Sequence, residues 1–173
     1  MNEYKKAVEA ALARRNGDPV IANRSVDHAA VVLECMFKAA NRTVEIIANR
    51  LNPAVYDKPE VIAAAEALLS AKNCTIDVLV ESDVAAERQF VRVLTAKYPN
   101  KFSIVHVPAE VAEAYSYNFC VVDDDCYRFE ADRKNCDATI QFGNTAIASK
   151  IHETFKLIKS ECLSYRGKAE VPA

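Results

Sequence analysis

"YSYNFCVVDDDCYRFEAD", residues 115–132, sets two apolar segments on either side of three consecutive aspartates. Residues 117–122 and 127–131 read as strands: Tyr117, Phe119, Val121 and Val122 in the first and Tyr127 and Phe129 in the second favour the pleated conformation. Asp123, Asp124 and Asp125 read as the turn between them, since aspartate side chains bond nearby backbone amides. Carboxylates also suit hard cations, but three in a row at a hairpin tip are turn formers first.

Upstream of the hairpin, strand and helix patterns alternate. "TVEIIA" (43–48), "TIDVLV" (75–80) and "FSIVHV" (102–107) read as strands. Ser25 is a natural N-cap for a helix burying Ala29, Val32, Leu33, Met36, Phe37 and Ala40 at three–four spacing. Pro59 suits the first turn of a helix over 59–72. Ser82 or Asp83 caps another, carrying Phe90, Val91, Leu94 and Tyr98, and residues 109–114 hold one or two helical turns. Downstream, "ATIQF" (138–142) reads as a strand, and a helix from about Asn144 to Leu163 buries Ile147, Ile151, Phe155, Ile158 and Cys162. Residues 3–15 form a charged amphipathic helix that Gly17, Asp18 and Pro19 end. Strand–helix alternation implies right-handed crossovers. The expected fold is therefore α/β, a three-layer sandwich with a mixed, largely parallel sheet and helices on both faces. Residues 1–22 read as an N-terminal helical extension, 23–165 as the domain and 166–173 as a mobile tail.

The chain has 173 residues, 51% hydrophobic and 27% charged, which fits one globular domain with a substantial core. The net charge of −2 does not propose a broad nucleic-acid surface, though a local basic groove stays open. The N-terminal stretch lacks the apolar core of a signal peptide, and no apolar run approaches the ~20 residues that span a bilayer. A cytoplasmic protein with no membrane contact is expected. The six cysteines show no C-x-x-C pair; Cys120, Cys126 and Cys136 lack the spacing of a zinc knuckle.

Several chemistries lack their residues. The three glycines, Gly17, Gly143 and Gly167, do not open a helix after a parallel strand, so a dinucleotide or phosphate loop is not expected. No Gly-x-Ser-x-Gly elbow is present. His28, His106 and His152 do not share metal-ligand spacing: His28 lies in a helix's first turn, His106 within a strand, and His152 is expected on a helix surface. No cofactor and no metal are expected.

The order of elements and the opening stretch resemble the phospholipase D superfamily, whose members carry His-x-Lys-x4-Asp on one strand, then a second strand, a polar turn and a long helix. "FCVV" matches the family's apolar tetrad, "YRFEA" its second strand, "IQFGNTAIASKIHETFKLI" its closing segment, and "RSVDHAAVVLECMFKAANRTVEIIANRLNP" its opening helix and first strand. The likeness covers about 24–163. With Asp123 at the motif's acidic position, Ser116 stands where the family has His and Asn118 where it has Lys. The family's His attacks phosphorus and its Lys neutralises the phosphate. A hydroxyl without an evident base and a neutral amide replace them here.

The resemblance thus implies a scaffold without its reagents: a non-enzymatic binding or assembly module. Two alternatives are a phosphodiesterase or nuclease using other groups, such as His106, His28 or a metal at Asp123–Asp125, and a small-anion sensor for phosphate or nucleotide. Ligands of open α/β folds settle at the carboxyl ends of strands. Asn49, Arg50 and Asn52 follow the first strand and Glu81 the second; on the family template Ser116, Asn118, Asp123 and Glu130 complete the cleft. Arg50 is the candidate anion grip, but a salt bridge to Glu81 or another cleft acid is the plainer expectation for it. Family enzymes join two motif copies, so a homodimer is the implied partner for a chain with room for one.

Overall fold

A computed structural model describes residues 2–71, 73–133 and 137–169. The chain runs α1 (Asn2–Arg14), β1 (Ile21–Asn23), α2 (Val26–Ala39), β2 (Thr43–Ala48), α3 (Pro53–Tyr56), α4 (Pro59–Ala71), β3 (Thr75–Val80), α5 (Gln89–Lys97), β4 (Phe102–His106), α6 (Ala109–Ala112), β5 (Asn118–Val122), β6 (Cys126–Glu130), β7 (Ala138–Phe142) and α7 (Thr145–Ala169). The strands form one mixed sheet in the order β1-β7-β6-β5-β2-β3-β4.

The sheet corrects the largely parallel expectation. Among the described residues only β2–β3 and β3–β4 are parallel ladders. The β2–β5, β5–β6, β6–β7 and β1–β7 ladders are all antiparallel. The sequence fits crossovers only where a helix separates two strands, and after β4 the chain turns back by short connections. β5 then inserts beside β2, with Ile46 opposite Cys120 and Ile47 opposite Phe119.

Strand alternation divides the interior into two apolar clusters. Val44, Ile46, Ile76, Val78, Cys120 and Val122 join one cluster with buried residues of α1, α2, α4 and α5. Ile47, Leu79, Phe119, Val121 and Tyr127 join another with Ala148, Ile151, Phe155, Ile158 and Cys162 of α7. Successive side chains point to opposite faces of a strand, so both faces of the sheet carry buried apolar side chains. Phe90 centres the first cluster, with ring centroids 6.1 Å from Phe37, 5.5 Å from Tyr56 and 5.9 Å from Phe102. Truncating it to alanine is expected to cost about 3–5 kcal/mol.

Local signals explain most of the helices. Ser25 Oγ accepts from His28 N at 3.1 Å and caps α2. The helix expected after Ser82 is split: Asp83–Glu87 is a 3-10 turn without a side-chain cap from Ser82, and α5 begins only at Gln89. The cap comes instead from Asp57, whose Oδ1 accepts from Phe90 N at 3.0 Å. β1 and α3 are additions to the expected elements, and the expected boundary at residue 22 falls inside β1. α7 continues through residues 166–169 of the expected tail, and 170–173 lie outside the described residues.

α1 packs on its own domain. Val8 and Ala11 are buried, Lys5 Nζ holds Glu34 at 2.7 and 2.8 Å, and the Tyr4 and His28 rings stack at 3.6 Å. Burial tends to raise the Glu34 carboxyl, but Lys38 and Lys5 outweigh it and hold it below the usual range. His152 is not a free surface group: its Nδ1 lies 2.6 Å from Oε2 of buried Glu45 on β2. Burial raises the Glu45 carboxyl against the opposing pull of His152. No helix among the described residues is long and apolar enough to cross a membrane.

Candidate functional site

β2 and β6 end, and β5 begins, at one rim of the sheet. There Asn49, Arg50, Asn52, Asn118 and Glu130 line a cavity of about 100 Å³ beneath α2 and α3. Five of the eight expected cleft residues thus meet. Arg128 and Arg133 line it as well and were not expected. A signal for Arg128 exists in the sequence: it lies in phase with Cys126 and Glu130, so alternation puts it on their face of β6. Arg133 sits in a loop and has no such signal.

A polar chain forms the cavity floor. Asn49 N donates to Asn118 Oδ1 at 2.8 Å, and Asn118 Nδ2 donates to Glu130 Oε2 at 3.2 Å. Arg128 Nη1 donates to the same Glu130 oxygen at 3.3 Å, and Arg128 Nε to Asn23 Oδ1 at 3.2 Å. Asn23, Arg128 and Glu130 are all buried. Each charge therefore has a partner, as burial requires. Only two Arg128 nitrogens are engaged, because Nη2 donates to none of the described residues. Asn52 commits its Oδ1 to Ala54 N and caps α3. Arg50 is exposed and has no ion pair among the described residues.

Glu81 lies at the end of β3, beside this cavity, and does not pair with Arg50. Asn49 Nδ2 and Arg133 Nη1 both donate to its Oε2 at 2.8 Å. Arg133 Nη2 reaches Tyr115 O at 2.9 Å, and its guanidinium carbon lies 4.9 Å from the centre of the Tyr115 ring. The same Nη2 is 2.8 Å from Glu81 Oε1 without the geometry of a hydrogen bond, so that contact is Coulombic. Burial, with the Glu81 carboxylate, raises the Tyr115 phenol.

Two expected cleft residues stand elsewhere. Ser116 is exposed on the segment before β5 and does not line the cavity, because β5 starts at Asn118 and the chain leaves the sheet before Ser116. Asp123 closes the β5–β6 turn at the opposite end of β5. Its carboxylate accepts from the backbone N–H of Asn41, Arg42 and Thr43 at 3.2, 2.8 and 3.2 Å and from Arg15 Nη2 at 3.3 Å. Asp125 takes Arg15 through two bonds of 2.7 Å, and Asp124 pairs with Arg42. The aspartate run thus fastens α1 and the α2–β2 loop to the hairpin.

The other reactive groups are also committed. His28 stacks on Tyr4. His106 Nε2 lies 2.9 Å from both Glu81 O and Asp83 Oδ1. Burial pushes the Cys120 and Cys126 thiols up to about 12, far from the thiolate that a metal or nucleophile needs; Cys136 lies outside the described residues. Among the described residues lining the cavity there is no His, Cys, Lys or Ser. Its Tyr56 phenol is raised by burial. The cavity can bind through charge and hydrogen bonds, and its described lining holds no activated nucleophile.

Residues 25–163 match a family described as a domain of unknown function (DUF7931). The chain belongs to the DUF7931 family. No curated protein matches it. Among solved structures, this DUF7931 chain is similar to TrmBL2, described as an archaeal chromatin protein with a novel mode of DNA binding, at 8% identity and a TM-score of 0.60. That likeness covers 92% of this chain and only 60% of the length of TrmBL2. It is also similar to NucT from Helicobacter pylori, at 10% identity and a TM-score of 0.59, over 82% of this chain and 97% of that one. At these identities the likeness is one of fold. The NucT likeness is consistent with the phospholipase D-like architecture read from the sequence.

Proposed function

We propose that this DUF7931 domain is a non-enzymatic binding module on a three-layer, phospholipase D-like scaffold, and that its cleft takes an oxyanion. The observation that carries the reading is the pairing pattern at the rim of β2. Asn118 and Glu130 are tied into a buried structural chain, while Arg50 is exposed beside it and has no ion pair among the described residues. A guanidinium grips an oxyanion with two parallel bonds, and Arg128 adds at the floor its Nη2, which bonds to none of the described residues. Ser116, the residue at the position of the family's nucleophile, stands outside this cavity, which supports binding without turnover.

Isothermal titration with inorganic phosphate and with acetate tests the reading. Arg50→Ala is expected to weaken binding about tenfold to a hundredfold, the range of one charge-assisted hydrogen-bond pair. The protein is expected to leave bis(p-nitrophenyl) phosphate and DNA intact. Hydrolysis that follows the purified protein and disappears in Arg50→Ala would overturn the non-enzymatic reading.

A second reading is nucleic-acid binding across the same rim, prompted by the likeness to the DNA-binding protein TrmBL2. The net charge of −2 counts against it. Duplex DNA retained at low salt by the wild type and released by Arg50→Ala would favour it over small-anion binding.

A further inference from the structure

The rim holds a second basin. Asn49 and Arg50 are shared between the inner cavity and an outer depression of about 550 Å³ at the carboxyl ends of β3 and β4. The two basins carry opposite charge. Three guanidiniums (Arg50, Arg128 and Arg133) line the inner one, with Glu130 its only carboxylate among the described residues. In the outer one the carboxylates are Glu81, Asp83 and Glu113, and Arg50 on the shared edge is the only guanidinium among the described residues. Within those sets, Glu81 is held by Arg133 and Asn49. Asp83 and Glu113 remain exposed, Asp83 touching only His106 among the described residues. Arg128 is 7% exposed at the inner floor; it donates through Nε and Nη1, and its Nη2 makes no hydrogen bond among the described residues and is open to solvent in the cavity, where an oxyanion can take the place of water.

Resting on the oxyanion reading above, we propose that the ligand is a small zwitterion. Its oxyanion sits in the inner basin against Arg128 and Arg50. Its ammonium group extends past Arg50 into the outer basin, toward Asp83 and Glu113. A plain anion satisfies half of this surface. A polyanion places its second charge among the carboxylates, which like-charge repulsion opposes. Because the basins adjoin at two residues, a short linker between the charged ends suffices, and the length of that linker decides the best fit.

Calorimetry on the full chain compares γ-aminobutyrate with butyrate and phosphoethanolamine with ethyl phosphate, and then extends the amino-acid series through β-alanine and ε-aminocaproate. Each zwitterion is expected to bind about fivefold tighter than its matching anion, the scale of one exposed ion pair. Added salt is expected to reduce the gain. The exposed double variant Asp83→Asn/Glu113→Gln is expected to erase the gain, so that each zwitterion binds no tighter than its matching anion. Equal affinities for zwitterion and anion, with Arg50→Ala still weakening both, would overturn this proposal and leave oxyanion binding standing. Binding of n-butylamine as tight as that of γ-aminobutyrate would overturn it too. No binding of any anion would overturn both readings.

Discussion

Replacing Asp123 separates what the aspartate turn does for the fold from what it could do for chemistry. The residue is 6% exposed, has φ +51°, and caps three backbone N–H groups of the α2–β2 loop. Asp123→Ala removes every one of those acceptors. The 2.8 Å bond from Arg42 N to a charged oxygen contributes about 1.5–2 kcal/mol, and the two longer bonds about 0.5–1 kcal/mol each. A left-handed alanine adds about 1 kcal/mol of strain. The expected loss is about 4 kcal/mol, or a fall in Tm of about 8–16 °C for a domain of this size. Asp123→Gly loses the caps without the strain and is expected to cost about 1 kcal/mol less than alanine. Asp123→Asn keeps an acceptor and tolerates the left-handed conformation, and so is expected to cost under about half as much as alanine. Urea unfolding and scanning calorimetry read the series. Since β5 separates the turn from Asn118 by about 17 Å of strand, ligand affinity at the rim of β2 should stay within about twofold. A loss below about 1 kcal/mol for Asp123→Ala would refute the capping account. So would an asparagine variant as unstable as the alanine variant, or a cation-dependent rise in Tm that Asp123→Ala abolishes.

Two further outcomes test the same end of the molecule. A Cβ on Gly143 would lie 2.1 Å from Arg15 O, whereas one on Gly17 meets nothing nearer than 3.6 Å. Both residues have φ near +85°, so Gly17→Ala is expected to cost about 1 kcal/mol in urea unfolding and Gly143→Ala several times more; similar costs would refute the docking of α1 on the β7–α7 turn. The bidentate bond from Arg15 holds Asp125 below the usual carboxylate range. A depressed folded value means that its stabilisation is complete above the unfolded pKa of about 4 and is lost as pH falls through the folded value. Arg15→Met is therefore expected to be less stable than the wild type by about 1–2 kcal/mol at neutral pH, with the gap closing in acid; a gap that does not depend on pH would contradict the pairing.

Local sequence patterns identify the elements wherever period and caps agree. "TVEIIA", "TIDVLV" and "ATIQF" are strands over the expected residues, and Ser25 caps α2 through its hydroxyl. The hairpin is legible too, shifted to Asn118–Val122 and Cys126–Glu130. Alternation says which side chains share a face, and so it places Asn118 with Glu130. The apparent register of Ser116 misleads, because a motif position is a spacing along the chain and a strand ends where its ladder ends.

What sequence determined, then, is most of the elements and most of their inward faces, Ile147 of α7 being an exception at 41% exposed, since both follow from interactions spanning a few residues. Tertiary structure decided strand order and pairing, including β1, whose three residues are too short to show a period and form a strand only against β7. It also decided the site. Arg133 meets Glu81 across 52 positions, and Arg128 meets Asn23 across 105. It separated Arg50 from Glu81, one of the partners expected for it, by giving that carboxylate to Arg133. Which charge is neutralised and which is left open depends on geometry between distant segments, and no local pattern carries that information.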